Sequence, residues 1–174
     1  REEIKMIDKK VEKLMNEQIV NELYSAYLYL AMSAYFEANN LKGMAHWMRC
    51  QAQEEQVHAM KFYKHIVERC GEVKLGKIDA PPSEWKSALD AFKAAYKHEQ
   101  KVTSLINKIV EASDSSNDYA SRSLLQWFVD EQVEEEAQTD ELVKQLEVIG
   151  ERGAGLLMLD RHIGKREFKY PGNE

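Results

Sequence analysis

The sequence predicts an all-α fold, a four-helix bundle with one long crossover and a short fifth, C-terminal helix. Three observations predict it. Four long segments repeat apolar residues at helical spacing, and their connections run short, long, short. Near the middle of each segment an acidic residue stands on the stripe that should be purely apolar. Glu22 lies between Ile19 and Ala26, Glu55 between Ala52 and Ala59, Glu99 between Ala95 and Val102, and Glu131 between Phe128 and Glu135.

The first helix is expected from about Ile4 to Ala38 on the spacing of Ile7, Val11, Leu14, Ile19, Leu23, Ala26 and Leu30, with Asn39 and Asn40 ending it. A second, from about Lys42 to Cys70, carries Trp47, Met48, Ala52, Ala59, Phe62 and Ile66 and stops at Gly71. An irregular run follows, ending in Pro81 and Pro82. Ser83 is the expected cap of a third helix reaching about Ala112, with Lys86 where a full capping box would have Glu. The DSSND turn leads to a fourth, about Asn117 to Ile149. After Gly150, Gly153 and Gly155, the residues Leu156, Leu157, Leu159 and Ile163 predict a short fifth helix. One domain is expected over residues 1–167, with the bundle at about 4–149, the fifth helix at about 154–166 and a tail without periodicity at 168–174.

Helices of about 30 residues are roughly 45 Å long, and residues 71–83, fully extended, reach about 43 Å. That run can cross the whole bundle, which makes the first and second helices, and the third and fourth, antiparallel pairs.

Composition narrows the function classes. Among 174 residues, 30 acidic against 24 basic side chains give a net charge of -6, which disfavours a nucleic-acid partner and offers no polybasic membrane signal. No signal peptide is recognisable, and the most apolar stretch, Leu23 to Phe36, is too short to span a bilayer, so a soluble, cytoplasmic protein is expected. Cys50 and Cys70 lie roughly 30 Å apart along one helix, too far to bridge each other there. Unbridged thiols suit a reducing compartment.

Carboxylates at core positions cost several kcal/mol unless something neutralises them, and a metal ion is the simplest neutraliser. His58 follows Glu55 by three residues, so both project from one helix face. Glu22, Glu55, Glu99 and Glu131 each lie about 13 to 18 residues from both ends of their own helix, so they share one level whichever way the helices run. Glu135 follows one turn after Glu131. Two divalent ions would balance the four charges of Glu22, Glu55, Glu99 and Glu135, whereas one would leave surplus negative charge. Carboxylates with one imidazole and no thiolate favour iron or manganese over structural zinc. Tyr29, two turns after Glu22 on the same face, could hydrogen-bond a ligand, supply an electron or simply pack in the core. Structural roles are expected for Trp47, Trp127 and His65. His46, His98 and His162 lack ligand spacing, and the KRE stretch at Lys165 reads as a solvated helix end.

Four separated motifs, NELYSAYLYL from Asn21, AQEEQVHAM from Ala52, YKHEQ from Tyr96 and LQWFVDEQVEEE from Leu125, resemble the non-haem ferritins of bacteria and archaea, over almost the whole chain. The resemblance implies a ferroxidase centre in which Glu22, Glu55 and His58 surround one iron, and Glu55 bridges to a second held by Glu99 and Glu135. Gln132 would be an outer partner or weak ligand. It also implies a third iron site formed by Glu54, Glu131, Glu134 and Glu135. The function implied is oxidation of Fe(II) by dioxygen or hydrogen peroxide and deposition of ferric oxide inside a hollow homo-oligomer of twenty-four subunits, with the fifth helix lining its four-fold axes. Haem is not expected, because the fourth helix lacks the second Glu-x-x-His of the haem-binding relatives. A rubrerythrin would show four cysteines, and a mini-ferritin would place its metals between subunits. A helical scaffold without chemistry is the alternative of a different class. Ferritins often line three-fold channels with acids near the start of the fourth helix. Arg122 and Leu124 stand there in this chain, leaving Asp114, Asp118 and Asp130 as candidates.

Overall fold

The computed structural model describes residues 6–150 and 152–170. Among them are five helices, α1 Lys9–Ala38, α2 Lys42–Glu68, α3 Ala88–Ser115, α4 Tyr119–Ile149 and α5 Ala154–Ile163, and no strand. The bundle with a short fifth helix is therefore as the sequence predicts. α1 packs along α2, α3 along α4, α1 also against α3, and α5 against α2 and α4.

The core divides into two apolar clusters, and their membership fixes the directions of the helices. One holds Met32 and Phe36 late in α1, Met44 and Met48 early in α2, Phe92 early in α3, Leu146 late in α4, and Leu156, Leu159 and Ile163 of α5. The other holds Val11 and Met15 early in α1, Phe62 and Ile66 late in α2, Ile106 and Ile109 late in α3, and Leu125 and Phe128 early in α4. Hence α1 and α2 are antiparallel, as are α3 and α4. Because α2 and α3 start at the same end, residues 69–87 must traverse the bundle. Asn16 of α1 pins this crossover with its carboxamide, which donates to Glu72 O (3.0 Å) and accepts from Lys74 N (2.6 Å).

Helix starts depart from the sequence reading for identifiable reasons. α1 begins at Lys9, where Asp8 accepts from Lys10 N (2.9 Å) and Val11 N (3.1 Å); residues 1–5, including the expected start at Ile4, lie outside the described residues. α3 is capped by Ser87 rather than Ser83. Ser87 Oγ accepts from Asp90 N (3.2 Å), and the Asp90 carboxylate accepts from Lys86 N (3.0 Å). The acid that Ser83 lacks three residues on is present for Ser87. α4 begins one residue after Asp118, which accepts from Ser121 N (3.3 Å), and not at Asn117, whose φ of 53° is left-handed. α2 has Leu41 at its cap, with no side chain to offer, and Asp160 of α5 supplies the missing acceptor to Met44 N (2.8 Å). That contact requires a glycine, because a Cβ on Gly43 would fall 1.7 Å from Asp160 O.

Candidate metal centre

Where the two apolar clusters meet, every long helix contributes polar side chains. Glu22 of α1, Glu55 and His58 of α2, Glu99 of α3, and Gln132 and Glu135 of α4 are all buried. Glu22, Glu55 and His58 offer ligand atoms within 4.8 Å of one another, and so do His58, Glu131 and Glu135. His58 belongs to both groups. Its Nδ1 lies 3.3 Å from Glu55 Oε2 and its Nε2 3.7 Å from Glu131 Oε1. Neither contact is a hydrogen bond in geometry, and Glu22 Oε2, Glu55 Oε2 and His58 Nε2 are buried without a hydrogen-bond partner. Three such atoms together cost several kcal/mol unless a cation draws them in.

The opposite sides of these ligands are held. Gln18 Nε2 donates to Glu22 Oε1 (2.9 Å) and Gln51 Nε2 to Glu135 Oε2 (2.7 Å). Gln132 Nε2 donates to Glu99 Oε2 (3.2 Å) and to the Glu99 carbonyl (3.3 Å), and the fully buried Tyr29 hydroxyl donates to Glu99 Oε1. Such partners aim carboxylates at a metal. His58 packs edge-on against Trp127 and Phe128, which close one side of the site.

The electrostatics would favour a bound cation. Burial, then repulsion from Glu55, pushes the Glu22 carboxyl well above its ordinary range, and burial with Glu99 does the same to Glu55. Burial raises Glu99 to about 7 against the hydrogen bonds from Tyr29 and Gln132. It raises Glu135 to about 7 as well, aided by the charge of Glu99. Burial and Glu99 also push the Tyr29 phenol well up, so it remains a donor. For His58, burial works against protonation, but the nearby carboxylates, Glu131 first and then Glu22 and Glu135, outweigh it and raise its pKa.

In the metal-free protein the cluster's contribution to stability is full below about 4.5, the unfolded value, and is lost as pH rises through about 7. A divalent cation needs the carboxylates ionised, so its binding releases protons and tightens over the same range. The Tm increase produced by Zn(II) should therefore be larger at about pH 8 than at about pH 5.5. Equal increments in scanning calorimetry would contradict this.

A ferritin-like domain model matches residues 12–149. The bacterial non-heme ferritin of Bacteroides fragilis is 39% identical over 161 residues, 92% of this chain and 100% of the relative. That of Campylobacter jejuni is 41% identical over 158 residues, covering 91% and 95%. This chain belongs to the ferritin family. Among solved structures, an Archaeoglobus fulgidus ferritin engineered to a closed form superposes with a TM-score of 0.92 at 48% identity, covering 94% of this chain and 99% of that one. A structure described as a novel open pore ferritin from the same archaeon gives 0.91 at 47% identity, covering 92% and 99%.

The ferritin fold thus brings Glu22, Glu55, His58, Glu99, Glu135, Tyr29 and Gln132 to one level, with Glu131 beside them and partly exposed. It does not bring Glu134 there. That side chain is exposed and accepts from Gln138 Nε2 (2.8 Å). Gln18 and Gln51 were not expected, yet each precedes its helix's core glutamate by four residues, a spacing visible in the sequence. Arg166, read as part of a solvated helix end, is instead mostly buried against α2, with Nη2 2.6 Å from Glu54 Oε2. His65, expected to be structural, lies 2.9 Å from Ser121 Oγ. Of the three channel candidates, Asp118 is buried on Arg69 (2.8 Å), Asp114 pairs with Arg122 (3.3 Å) and Asp130 accepts from Gln126 (2.9 Å). Among the described residues no helix is long and apolar enough to cross a membrane.

Proposed function

We propose that this protein stores iron. It captures Fe(II), oxidises it at a paired site inside the bundle, and passes Fe(III) as ferric oxide into the cavity of a hollow, cytoplasmic homo-oligomer of twenty-four subunits. The observation that carries the reading is the set of unpartnered buried ligand atoms, Glu22 Oε2, Glu55 Oε2 and His58 Nε2. In this reading Glu22, Glu55 and His58 hold one iron, Glu55 bridges, and Glu99 and Glu135 hold the other. Gln18, Gln51 and Gln132 keep the carboxylates in place, and Tyr29 donates to Glu99 from a position that excludes water. Two Fe(II) give up one electron each. Dioxygen takes both with two protons and leaves as hydrogen peroxide, or peroxide takes them with two protons and leaves as water. The charge of the four ionised carboxylates favours the oxidised product, because Fe(III) gains more from them than Fe(II) does.

Assembly is supported by apolar surface that one subunit leaves uncovered. Tyr27, Leu30, Met60 and Tyr63 are exposed on α1 and α2, and Val148, Leu157 and Met158 at α4 and α5. Adding Fe(II) to the metal-free protein in air should give a rapid oxidation phase of two irons per subunit in stopped-flow absorbance. Growth of an electron-dense core inside large particles should follow. Oxidation no faster than in buffer, or light scattering from a monomer, would defeat the proposal.

A further inference from the structure

Trp127 closes one side of the paired site from α4. Its ring meets the His58 ring edge-on, with centroids 5.4 Å apart, and stands edge-on to Phe128 as well (4.9 Å). An indole gives up an electron more readily than the imidazole and phenyl rings beside it. Glu131, one turn further along α4 on the same face, lies 3.7 Å from His58 Nε2. Negative charge so placed stabilises a positive charge on a neighbouring ring. Trp127 is therefore the ring that an oxidant formed at the site would attack.

A cation stands over that ring. Lys61, three residues after His58 on α2, holds its ammonium nitrogen 4.2 Å from the centroid of Trp127. Both side chains are half-buried, where water screens charge incompletely. Among the described residues Lys61 has no carboxylate partner, so the ring is what it is held against. The ammonium is attracted by the electron-rich face of the intact indole. Once an electron leaves the indole, the same contact sets two positive charges against each other. The contact thus stabilises the reduced ring and opposes its radical cation.

We propose that Lys61 guards the paired site against self-oxidation, by holding Trp127 in its reduced form while iron is oxidised beside it. This rests on the iron-oxidising reading, which supplies the oxidant. Hydrogen peroxide left by dioxygen reduction meets a further Fe(II) and gives Fe(III), hydroxide and a hydroxyl radical. If the radical takes an electron from Trp127, it becomes hydroxide, and the indole is left a radical cation that loses its N–H proton and is trapped by dioxygen as an oxygenated product. Lys61 makes that electron transfer harder. It touches no reacting atom and acts through the ring alone.

Two oxidations of the assembled protein test this, read as the fraction of each tryptophan peptide that gains oxygen in mass spectrometry. K61Q loses the charge while keeping a polar side chain over the ring, and K61R keeps a cation that stacks on it. Under repeated additions of Fe(II) in air, Trp127 should be oxidised about fivefold more in K61Q than in the parent, with K61R within about twofold of the parent. Trp85, which stands edge-on to Tyr35 at 5.5 Å, should be unchanged throughout. Azide radicals take one electron from indoles and need no iron, so the metal-free protein exposed to them should show the same order. Equal oxidation of Trp127 in K61Q and the parent, in either experiment, overturns the proposal. So does K61R behaving like K61Q, since the lysine then protects only as a cover. Failure of the underlying reading looks different: the parent shows no rapid Fe(II) oxidation, and the azide experiment alone then decides whether Lys61 protects the ring.

Discussion

Replacing Glu135 by alanine should slow the rapid phase of Fe(II) oxidation by about a hundredfold, about 2.7 kcal/mol of barrier. Glu135 is buried at the meeting point of α2 and α4, belongs to a ligand group with His58 and Glu131, and is aimed by Gln51. On the proposed ligand assignment, its removal would leave the second iron with only Glu99 and a bridging Glu55 and would take away one of four balancing charges. Gln51 Nε2 would also lose its acceptor, so the site loosens as well as losing a ligand. Glu136, the next residue, accepts a hydrogen bond from Thr103 on α3 and belongs to neither ligand group. Glu136→Gln should therefore keep the rate within about twofold, a stability effect from Thr103 aside. Glu131→Gln should alter the oxidant consumed per iron more than the initial rate, because Glu131 is partly exposed at the margin of the pair. Stopped-flow traces of the three variants decide it. Comparable slowing by E135A and E136Q would show that the fourth helix presents a different face.

The bundle and its polar level were legible because periodicity is a local signal. An acidic residue among apolar ones at helical spacing needs no knowledge of its neighbours in space, and four of them equidistant from their helix ends place one another. Gln18 and Gln51 carried the same signal at four residues before Glu22 and Glu55. What escaped was long-range or irregular. Arg166 reaches Glu54 across 112 residues from a segment without periodicity, and Asp160 caps α2 across 116. No composition rule separates such residues from a solvated helix end. Glu134 illustrates the reverse: the resemblance counts it among third-site ligands, and the fold turns it to solvent beside Gln138. The start of α3 was readable but misassigned, since Asp90 three residues after Ser87 is the better capping pair.

If the proposed pairing holds, His58→Ala should weaken by about a hundredfold the Fe(II) assigned to Glu22, Glu55 and His58 in anaerobic titration, and by less than tenfold the Fe(II) assigned to Glu99 and Glu135. The asymmetry comes from position. His58 groups within 4.8 Å with the ligand atoms of both Glu22 and Glu55, and with Glu135 only alongside Glu131, while Glu99 and Glu135 also have their own hydrogen-bonded supports in Tyr29, Gln132 and Gln51. Alanine also removes the ring that packs on Trp127 and Phe128, leaving a cavity, so lost affinity alone could reflect loosening of the bundle. His58→Gln separates the two causes. It restores much of the volume and can offer a carbonyl oxygen, but a neutral amide is a weaker donor to iron than imidazole. If metal ligation is what matters, H58Q should recover the stability of the metal-free protein while keeping most of the loss in affinity. If H58Q and the parent titrate alike, the ring serves packing, and the first iron must be held by carboxylates alone.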